Sequence, residues 1–189
     1  MKRVFLRVEE LGDLREHAAL SSAFETRQVC DVVAQGEAIA LAVRDLQQPF
    51  TKDYDQFEDP RQWPRRFDTS CWALLSAWRG DMRVGGLIVA RDTPGVDMLE
   101  GRSDLAVLWD LRVHPAERRR GVGALLFRQA EEWARGQGCS ELKVETQNTN
   151  PAACAFYRRQ GCSLAEANVG AYAELPDEVQ LIWRKRIRA

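Results

Sequence analysis

The sequence predicts an α/β fold in which a mixed, mostly antiparallel central sheet is flanked by helices. Three patterns predict it: a strand pair that ends near residue 91, a strand–helix unit that occurs twice between residues 105 and 161, and two strands after that. Strands joined by tight turns pair antiparallel, and helices that alternate with strands pack on the sheet. The 189 residues are expected to form a single domain, residues 1–189, which is long enough to bury a substantial core.

The N-terminal part of the chain carries the weakest patterns. Residues 4–8 predict a short strand, residues 12–23 predict a helix, and residues 38–43 form an apolar run that fits either type. Gly36 is expected to interrupt the chain before that run. None of these elements indicates a function.

Residues 44–70 differ from the rest of the chain, because Pro49, Pro60 and Pro64 argue against a long regular element. Aromatic and acidic side chains are interspersed in this segment: Phe50, Asp53, Tyr54, Asp55, Phe57, Glu58, Asp59, Trp63 and Phe67. A loop of this length is usually functional or disordered, and the aromatic content argues against disorder. Two interpretations stay open: a lid that covers a cationic substrate through cation–π and carboxylate contacts, or a surface loop anchored by its aromatic residues.

Two strands at residues 71–78 and 82–91, separated by a short turn, predict a β-hairpin. Gly85 and Gly86 lie inside its second strand, which indicates a bulge or a close approach of another group to the backbone. An acidic loop over residues 92–104 follows the hairpin.

An arginine- and glycine-rich loop then joins the most regular strand to the most regular helix. The strand covers residues 105–113, and after the loop RRRGVG at residues 118–123 apolar residues recur at helical spacing until Gly136 and Gly138. Backbone N–H groups at a helix N-terminus bind anions, glycine lets a phosphate approach the main chain, and arginine adds positive charge. The loop has neither the Gly-Lys-Ser/Thr of a Walker A loop nor the third glycine of a dinucleotide fingerprint.

Residues 141–161 predict a second strand–helix unit. Apolar and polar positions alternate over residues 141–147, and the helix after them has Asn150 as its N-cap, Pro151 at its first position and Gly161 after its last turn. One face of that helix is predicted to carry Ala152, Ala153, Phe156 and Tyr157. The last two strands are predicted at residues 162–168 and 178–188.

Two of these motifs together resemble the GNAT superfamily of N-acetyltransferases. R-x-x-G-x-G at residues 118–123 resembles the loop that binds the pyrophosphate of acetyl-CoA, and N-x-x-A-x-x-F-Y-x-x-x-G at residues 150–161 resembles the family's next helix. Residues 146–148, 153–154 and 175–181 are similar to the streptothricin acetyltransferase-like branch. The resemblance extends from about residue 71 to the end, departs at Cys162 where the family usually has an aromatic residue, and implies a GNAT fold.

The resemblance also implies acetyl-CoA as the co-substrate. In the family, main-chain N–H groups exposed between neighbouring strands face the thioester, and the matching position in this chain is near Val113. The residues expected to bind acetyl-CoA are Leu111, Arg112, Val113, Arg118, Arg119, Arg120, Gly121, Val122, Gly123, Ala124, Asn150, Ala153, Phe156 and Tyr157.

Acetyl transfer to an amine needs a base, because an amine with a pKa of about 10.4 is mostly protonated at neutral pH. Asp110 in the central strand and Glu145 on the polar side of the next strand are both candidates, and Arg112 is placed to pair with Asp110 as a structural ion pair instead. The resemblance implies that Tyr157 protonates the leaving thiolate. The alternative is that Tyr157 only packs beside Phe156.

Composition limits the other possibilities. The net charge of −1 and the pI of about 6.2 argue against a nucleic-acid partner. The five cysteines form no Cys-x-x-Cys pair and are accompanied by two histidines, so no metal is expected and a reduced, cytoplasmic protein is predicted. Charged residues soon interrupt the N-terminal apolar run, so neither a signal peptide nor a membrane partner is expected. The protein is expected to be a monomer or a homodimer.

The sequence thus predicts an acetyl-CoA-dependent N-acetyltransferase that acts directly on a primary amine of a small, cationic substrate. A streptothricin-like antibiotic is the favoured substrate, from the branch resemblance and from the acidic residues in 53–59 and 92–104. Alternatives are acetylation of a polyamine, an amino acid or a protein N-terminus, or a domain that senses acyl-CoA without turnover.

Overall fold

The computed structural model describes residues 3–12, 14–35 and 38–187. The strands are β1 (Val4–Glu9), β2 (Phe24–Gln35), β3 (Ala38–Lys52), β4 (Ala73–Arg79), β5 (Met82–Arg91), β6 (Leu105–Val113), β7 (Glu141–Gln147), β8 (Ser163–Val169) and β9 (Val179–Arg186). The helices are α1 (Arg15–Ala18), α2 (Trp63–Arg66), α3 (Val122–Gly136) and α4 (Pro151–Arg159).

The chain forms two compact units. The first comprises Met1–Ser22, Asp53–Leu142 and Arg186–Ala189, and the second comprises Ala23–Lys52 and Lys143–Lys185. The division into two compact units does not decide how many domains the chain has. The single domain over residues 1–189 therefore stays a prediction.

In the first unit, β1, β4, β5 and β6 follow one another in the sheet and every neighbouring pair is antiparallel. The middle strands are almost continuously apolar because both of their faces are covered, and α3 contributes Leu126, Phe127 and Ala130 as fully buried residues. The predicted hairpin is confirmed, with a register irregularity opposite the Gly85 region. A side-chain carbon on Gly85 would lie 2.9 Å from Val122 Cγ1, so the predicted close approach is also confirmed.

Aromatic residues of the predicted lid segment pack into the core of the first unit. Trp63 is only 3% exposed, and its ring meets Trp109 edge-on at a centroid distance of 6.2 Å. Phe67 stacks on Trp72 at 5.6 Å and also contacts Trp109. These rings therefore anchor residues 53–70 as the second interpretation expects, while a lid over the substrate stays a prediction.

The second unit contains the long hairpin of β2 and β3, most of β7 and of β9, the strand β8, and α4, with β9 between β7 and β8 in the sheet. The backbone N–H of Cys30 donates to the carbonyl of Asn148 at 2.8 Å, which joins the hairpin to the end of β7. Lys143 is buried, so the predicted alternation along β7 does not put every polar side chain in solvent. On the predicted face of α4, Ala152 is exposed, Ala153 and Phe156 are half-buried, and Tyr157 is buried.

The predicted helix over residues 12–23 was wrong in length, because only α1, four residues long, is helical. Part of that range lies outside the described residues. The carbonyls of Leu20 and Ser21 accept hydrogen bonds from Arg112 and Arg118, at 3.0 and 3.1 Å, and these carbonyls are thereby drawn away from a helical ladder.

The strand β2 was not predicted, and the expectation of no long regular element after residue 44 was wrong, because β3 continues to Lys52. Pairing with β2 shifts between Asp45, which faces Gln28, and Phe50, which faces Thr26. Pro49 lies inside that irregularity, where a missing N–H does not remove a ladder bond. The break predicted at Gly36 lies outside the described residues.

Candidate active site

The arginine–glycine loop leads into α3 as predicted. Gly121 is the N-cap of α3 and has a φ of 87°, a left-handed conformation that favours glycine. Leu125 N–H donates to the Gly121 carbonyl at 3.0 Å as the first bond of the helix, and no side chain caps its N-terminus. The N–H groups of Val122, Gly123 and Ala124 precede that bond, so they have no partner within the helix, which is the arrangement with which helix N-termini in general bind anions.

The three arginines of the loop differ in what they contact. Arg118 donates to the Val113 carbonyl at 3.1 Å and to the Ser21 carbonyl, so it fixes the loop to the end of β6. Arg119 is exposed and has a positive φ of 64°. Arg120 is 53% exposed and lies 3.8 Å from Glu117, a long distance for an ion pair. Arg119 and Arg120 are therefore the two loop arginines at the surface.

Asp110 lies in a partly buried cluster of polar and charged side chains. Arg112 Nε donates to Asp110 Oδ2 at 2.6 Å, and the same oxygen lies 2.9 Å from Nε2 of His17, whose side chain is fully buried. Arg112 also pairs with Asp55 at 2.6 Å. Burial opposes ionisation of Asp110, but His17 and Arg112 outweigh it and hold the pKa of Asp110 below its usual range. The ion pair of Asp110 with Arg112, one of the predicted alternatives, is thus observed.

Leu111, Arg112 and Val113 pair in register with Leu87, Gly86 and Gly85 of β5. No sequence pattern distinguishes His17, because its burial and its contact with Asp110 arise only in the folded protein. The other histidine, His114, lies in the turn after β6, where its Nδ1 accepts a hydrogen bond from the N–H of Ala116 at 3.3 Å.

Glu145 lies in the second unit among neutral hydrogen-bond donors. Tyr172 Oη donates to Glu145 Oε1 at 2.6 Å, and Gln180 Nε2 donates to Oε2 at 2.7 Å. Gln147 Nε2 donates to the Tyr172 oxygen at 2.9 Å and lies 3.4 Å from Oε1. All four side chains are half-buried. Tyr172 is a second residue that sequence reasoning missed, since nothing local distinguishes it in its loop.

The start of α4 has the predicted geometry. Asn150 Oδ1 accepts the backbone N–H of Ala153 at 3.0 Å, which confirms the N-cap. Tyr157 is 6% exposed, and its ring centroid lies 5.1 Å from that of Phe156. Cys154 is buried beside Cys30, and its hydrogen bond to that sulfur together with burial raises the pKa of the Cys154 thiol. A raised thiol pKa argues against Cys154 as a nucleophile.

Two further findings concern the described residues only. No group of three or more His, Cys, Asp and Glu side chains within them is arranged to hold a metal ion. None of the helices in the part of the chain that is described has the length and apolar composition needed to cross a membrane.

Comparison with known proteins connects these features to a family. A sequence model of the Acetyltransferase (GNAT) family matches residues 40–162. A streptothricin acetyltransferase of Streptomyces lavendulae is 39% identical over 161 residues, which covers 82% of this chain and 81% of that enzyme. Another match is partial: 43% identity over 58 residues covers only 38% of an aminoglycoside N(6′)-acetyltransferase of Klebsiella aerogenes.

Solved structures show the same fold. A nourseothricin acetyltransferase is 26% identical, with a TM-score of 0.76 over 98% of this chain and 99% of its own. A Bacillus anthracis protein assigned as a streptothricin acetyltransferase was solved with acetyl coenzyme A and has a TM-score of 0.79 at 21% identity over 97% of this chain and 99% of its own. The predicted fold class is confirmed by these structures and by the antiparallel pairing of the strands.

Proposed function

Because the chain belongs to the acetyltransferase (GNAT) family, we propose that it transfers acetyl from acetyl-CoA directly to a primary amine of a small, cationic molecule. The observation that carries the proposal is the uncapped, glycine-started N-terminus of α3 with Arg119 and Arg120 exposed beside it, because this arrangement suits a pyrophosphate. A streptothricin-like antibiotic is the favoured acceptor. This choice is supported by the streptothricin acetyltransferase that is 39% identical over most of both chains.

Three parts of the chain have a role toward acetyl-CoA in this proposal. The N–H groups of residues 122–124 bind the pyrophosphate, and Arg118 keeps the loop attached to β6 while the two exposed arginines supply charge. Main-chain N–H groups near Val113 stabilise the oxyanion that forms on the thioester carbonyl. Asn150 caps α4 and holds the pantetheine arm.

Glu145 is the proposed base. The carboxylate of Asp110 is already bound by Arg112 and His17, and its depressed pKa makes it a weak proton acceptor. The carboxylate of Glu145 is held by Tyr172 and Gln180, which are neutral, so it keeps its negative charge available for an ammonium group.

The proposed reaction is a direct transfer. Glu145 takes a proton from the ammonium group, and the free amine forms a C–N bond with the thioester carbon while the C–S bond breaks. Tyr157 gives its phenolic proton to the departing thiolate, and the second proton lost by the nitrogen restores Tyr157 through solvent. The products are an acetamide, free CoA thiol and one proton released from Glu145.

Release of CoA thiol from acetyl-CoA tests this proposal with a panel of amines: streptothricin, spermidine, an aminoglycoside, a free amino acid and a peptide with a free N-terminus. We expect the largest kcat/KM with streptothricin. A larger value with another acceptor would replace the antibiotic by that acceptor. Tight acetyl-CoA binding without thiol release from any acceptor would identify an acyl-CoA sensor instead.

A further inference from the structure

We propose that Tyr172 is a positioning residue for the acceptor: through its hydrogen bond to Glu145, it holds that carboxylate in place to receive the primary ammonium group. The inference rests on the proposed function and adds to it the site where the acceptor is recognised. It concerns four side chains of the second unit that lie in hydrogen-bond contact: Glu145, Gln147, Tyr172 and Gln180.

The hydrogen bonds of this cluster lead to the carboxylate of Glu145, which only accepts. Gln147 Nε2 donates to the Tyr172 oxygen at 2.9 Å, and the Tyr172 hydroxyl donates to Glu145 Oε1 at 2.6 Å. Gln180 holds the other oxygen at 2.7 Å. A charge-assisted O–H···O⁻ bond of this length is among the stronger hydrogen bonds in proteins, and its removal frees the carboxylate to rotate. Glu145 is thus fixed at both oxygens.

Within the described residues, no arginine or lysine forms an ion pair with Glu145, whereas four other carboxylates that are buried or half-buried have such a partner. Glu9, Asp110, Glu117 and Glu178 each lie within ion-pair distance of an arginine or lysine, at 2.5 to 2.8 Å. Glu145 has only the neutral donors named above among its contacts with the described residues. A half-buried, ionised carboxylate without a cation attracts one, and the acceptor's ammonium group is the cation that the proposed reaction supplies.

The segment that carries Tyr172 is fixed at its far end. Tyr172 lies between β8 and β9, and the backbone N–H of Leu175 donates to its carbonyl at 3.1 Å. Glu178, directly before β9, forms a buried ion pair with Lys52 at 2.5 Å, and both side chains are 9% exposed. The segment that holds Tyr172 beside Glu145 is therefore itself fixed by a hydrogen bond and by an ion pair.

A double-mutant cycle tests the inference, with Tyr172→Phe, Glu145→Gln and the double variant compared with the wild-type protein. Tyr172→Phe removes one oxygen and keeps the ring. We expect kcat/KM for streptothricin to fall about tenfold, which corresponds to about 1.4 kcal/mol, with the KM for acetyl-CoA unchanged and the melting temperature lowered by only a few degrees for the lost hydrogen bond. Since Tyr172 acts through Glu145, the double variant should be no slower than Glu145→Gln alone. Glu174→Gln removes an exposed charge from the same segment and should leave all constants unchanged.

Calorimetric binding of streptothricin in the presence of CoA gives a readout that does not need turnover. We expect Tyr172→Phe to weaken binding in the wild-type background and to have no effect in the Glu145→Gln background. Multiplicative losses, or a change below twofold for Tyr172→Phe, overturn the inference while the proposed function stands. Absence of thiol release with every amine overturns the proposed function, and if streptothricin also fails to bind, the inference falls with it.

Discussion

Gly86 lies so close to His17 that a side-chain carbon on Gly86 would stand 2.3 Å from His17 Nδ1. That nitrogen is buried without a hydrogen-bond partner among the described residues, so the ring uses only Nε2, which contacts Asp110 at 2.9 Å. Gly86 is also the β5 partner of Arg112 in the sheet. The absent side chain of Gly86 is therefore what leaves room for the histidine that holds Asp110.

Gly86→Ala should destabilise the protein. The added methyl group has to displace the His17 ring, which breaks its contact with Asp110, and overpacking of this kind costs about 1–3 kcal/mol. Urea unfolding measures the change. Gly136→Ala is the matched control, because a side-chain carbon there has no neighbour within 4 Å and alanine favours a helix. Equal stability of the two variants would contradict the packing described for His17.

Asp110→Asn should reduce stability in a pH-dependent way. The pKa of Asp110 is lowered in the folded protein, so its contribution is present above the unfolded carboxyl pKa of about 3.9 and is lost as pH falls through the lower folded value. We expect a loss of about 3 kcal/mol at pH 7, as for other broken buried pairs, and a difference from wild type that narrows below about pH 4. Unfolding at pH 7, 5 and 3 checks the sign, and a difference that grows toward low pH would refute it.

Local signals account for what the sequence predicted well. The bounds of β6 and β7 agree with the prediction, and α3 and α4 begin directly after Gly121 and Asn150 as expected, because caps, glycines and periodicity act within a few residues. The hairpin of β2 and β3 was missed because its pairing, including the shift that accommodates Pro49, depends on contacts between segments.

Contacts between segments that are distant in sequence also form the candidate site. His17 and Asp110 are 93 residues apart in sequence, and Tyr172 and Glu145 are 27 residues apart, so no local pattern relates either pair. The R-x-x-G-x-G motif likewise did not reveal that the side chain of Arg118 donates hydrogen bonds to backbone carbonyls. The residue roles, the cytoplasmic location and the choice between monomer and homodimer stay predictions.

Gly123→Val should weaken acetyl-CoA binding by at least about tenfold, which is about 1.4 kcal/mol. The branched side chain blocks close approach of a phosphate to the N–H groups at the start of α3. Calorimetry gives the affinity, and an unchanged melting temperature shows that the fold is intact. Gly136→Val, at the other end of the same helix, should bind acetyl-CoA normally. Normal affinity of Gly123→Val would remove the loop from the cofactor site.

Asp55→Asn separates the two interpretations of the predicted lid segment. Asp55 bonds to buried Arg112 at 2.6 Å, so its replacement should cost about 1 kcal/mol of stability. Glu58→Gln, which breaks an exposed pair with Arg66, should have little effect on stability. If both variants instead raise the KM for the amine and keep the wild-type melting temperature, the acidic residues act on the substrate and the lid interpretation is favoured.

Tyr157→Phe tests the proposed acid for the leaving thiolate. The ring lies beside Phe156 in a nearly buried position, and phenylalanine keeps that packing, so melting and acetyl-CoA binding should be close to wild type. Loss of a general acid lowers the rate by about 10² to 10⁴, and a value near the lower end is expected because a CoA thiolate leaves readily and water can protonate it. The loss should appear in kcat and in neither KM. Tyr157→Leu, which removes the ring together with the hydroxyl, is the packing control: its melting temperature should fall, whereas that of Tyr157→Phe should not. If Tyr157→Phe turns over within about twofold of wild type, a difference of only ~0.4 kcal/mol in the barrier, Tyr157 is a packing residue and another group protonates the thiolate.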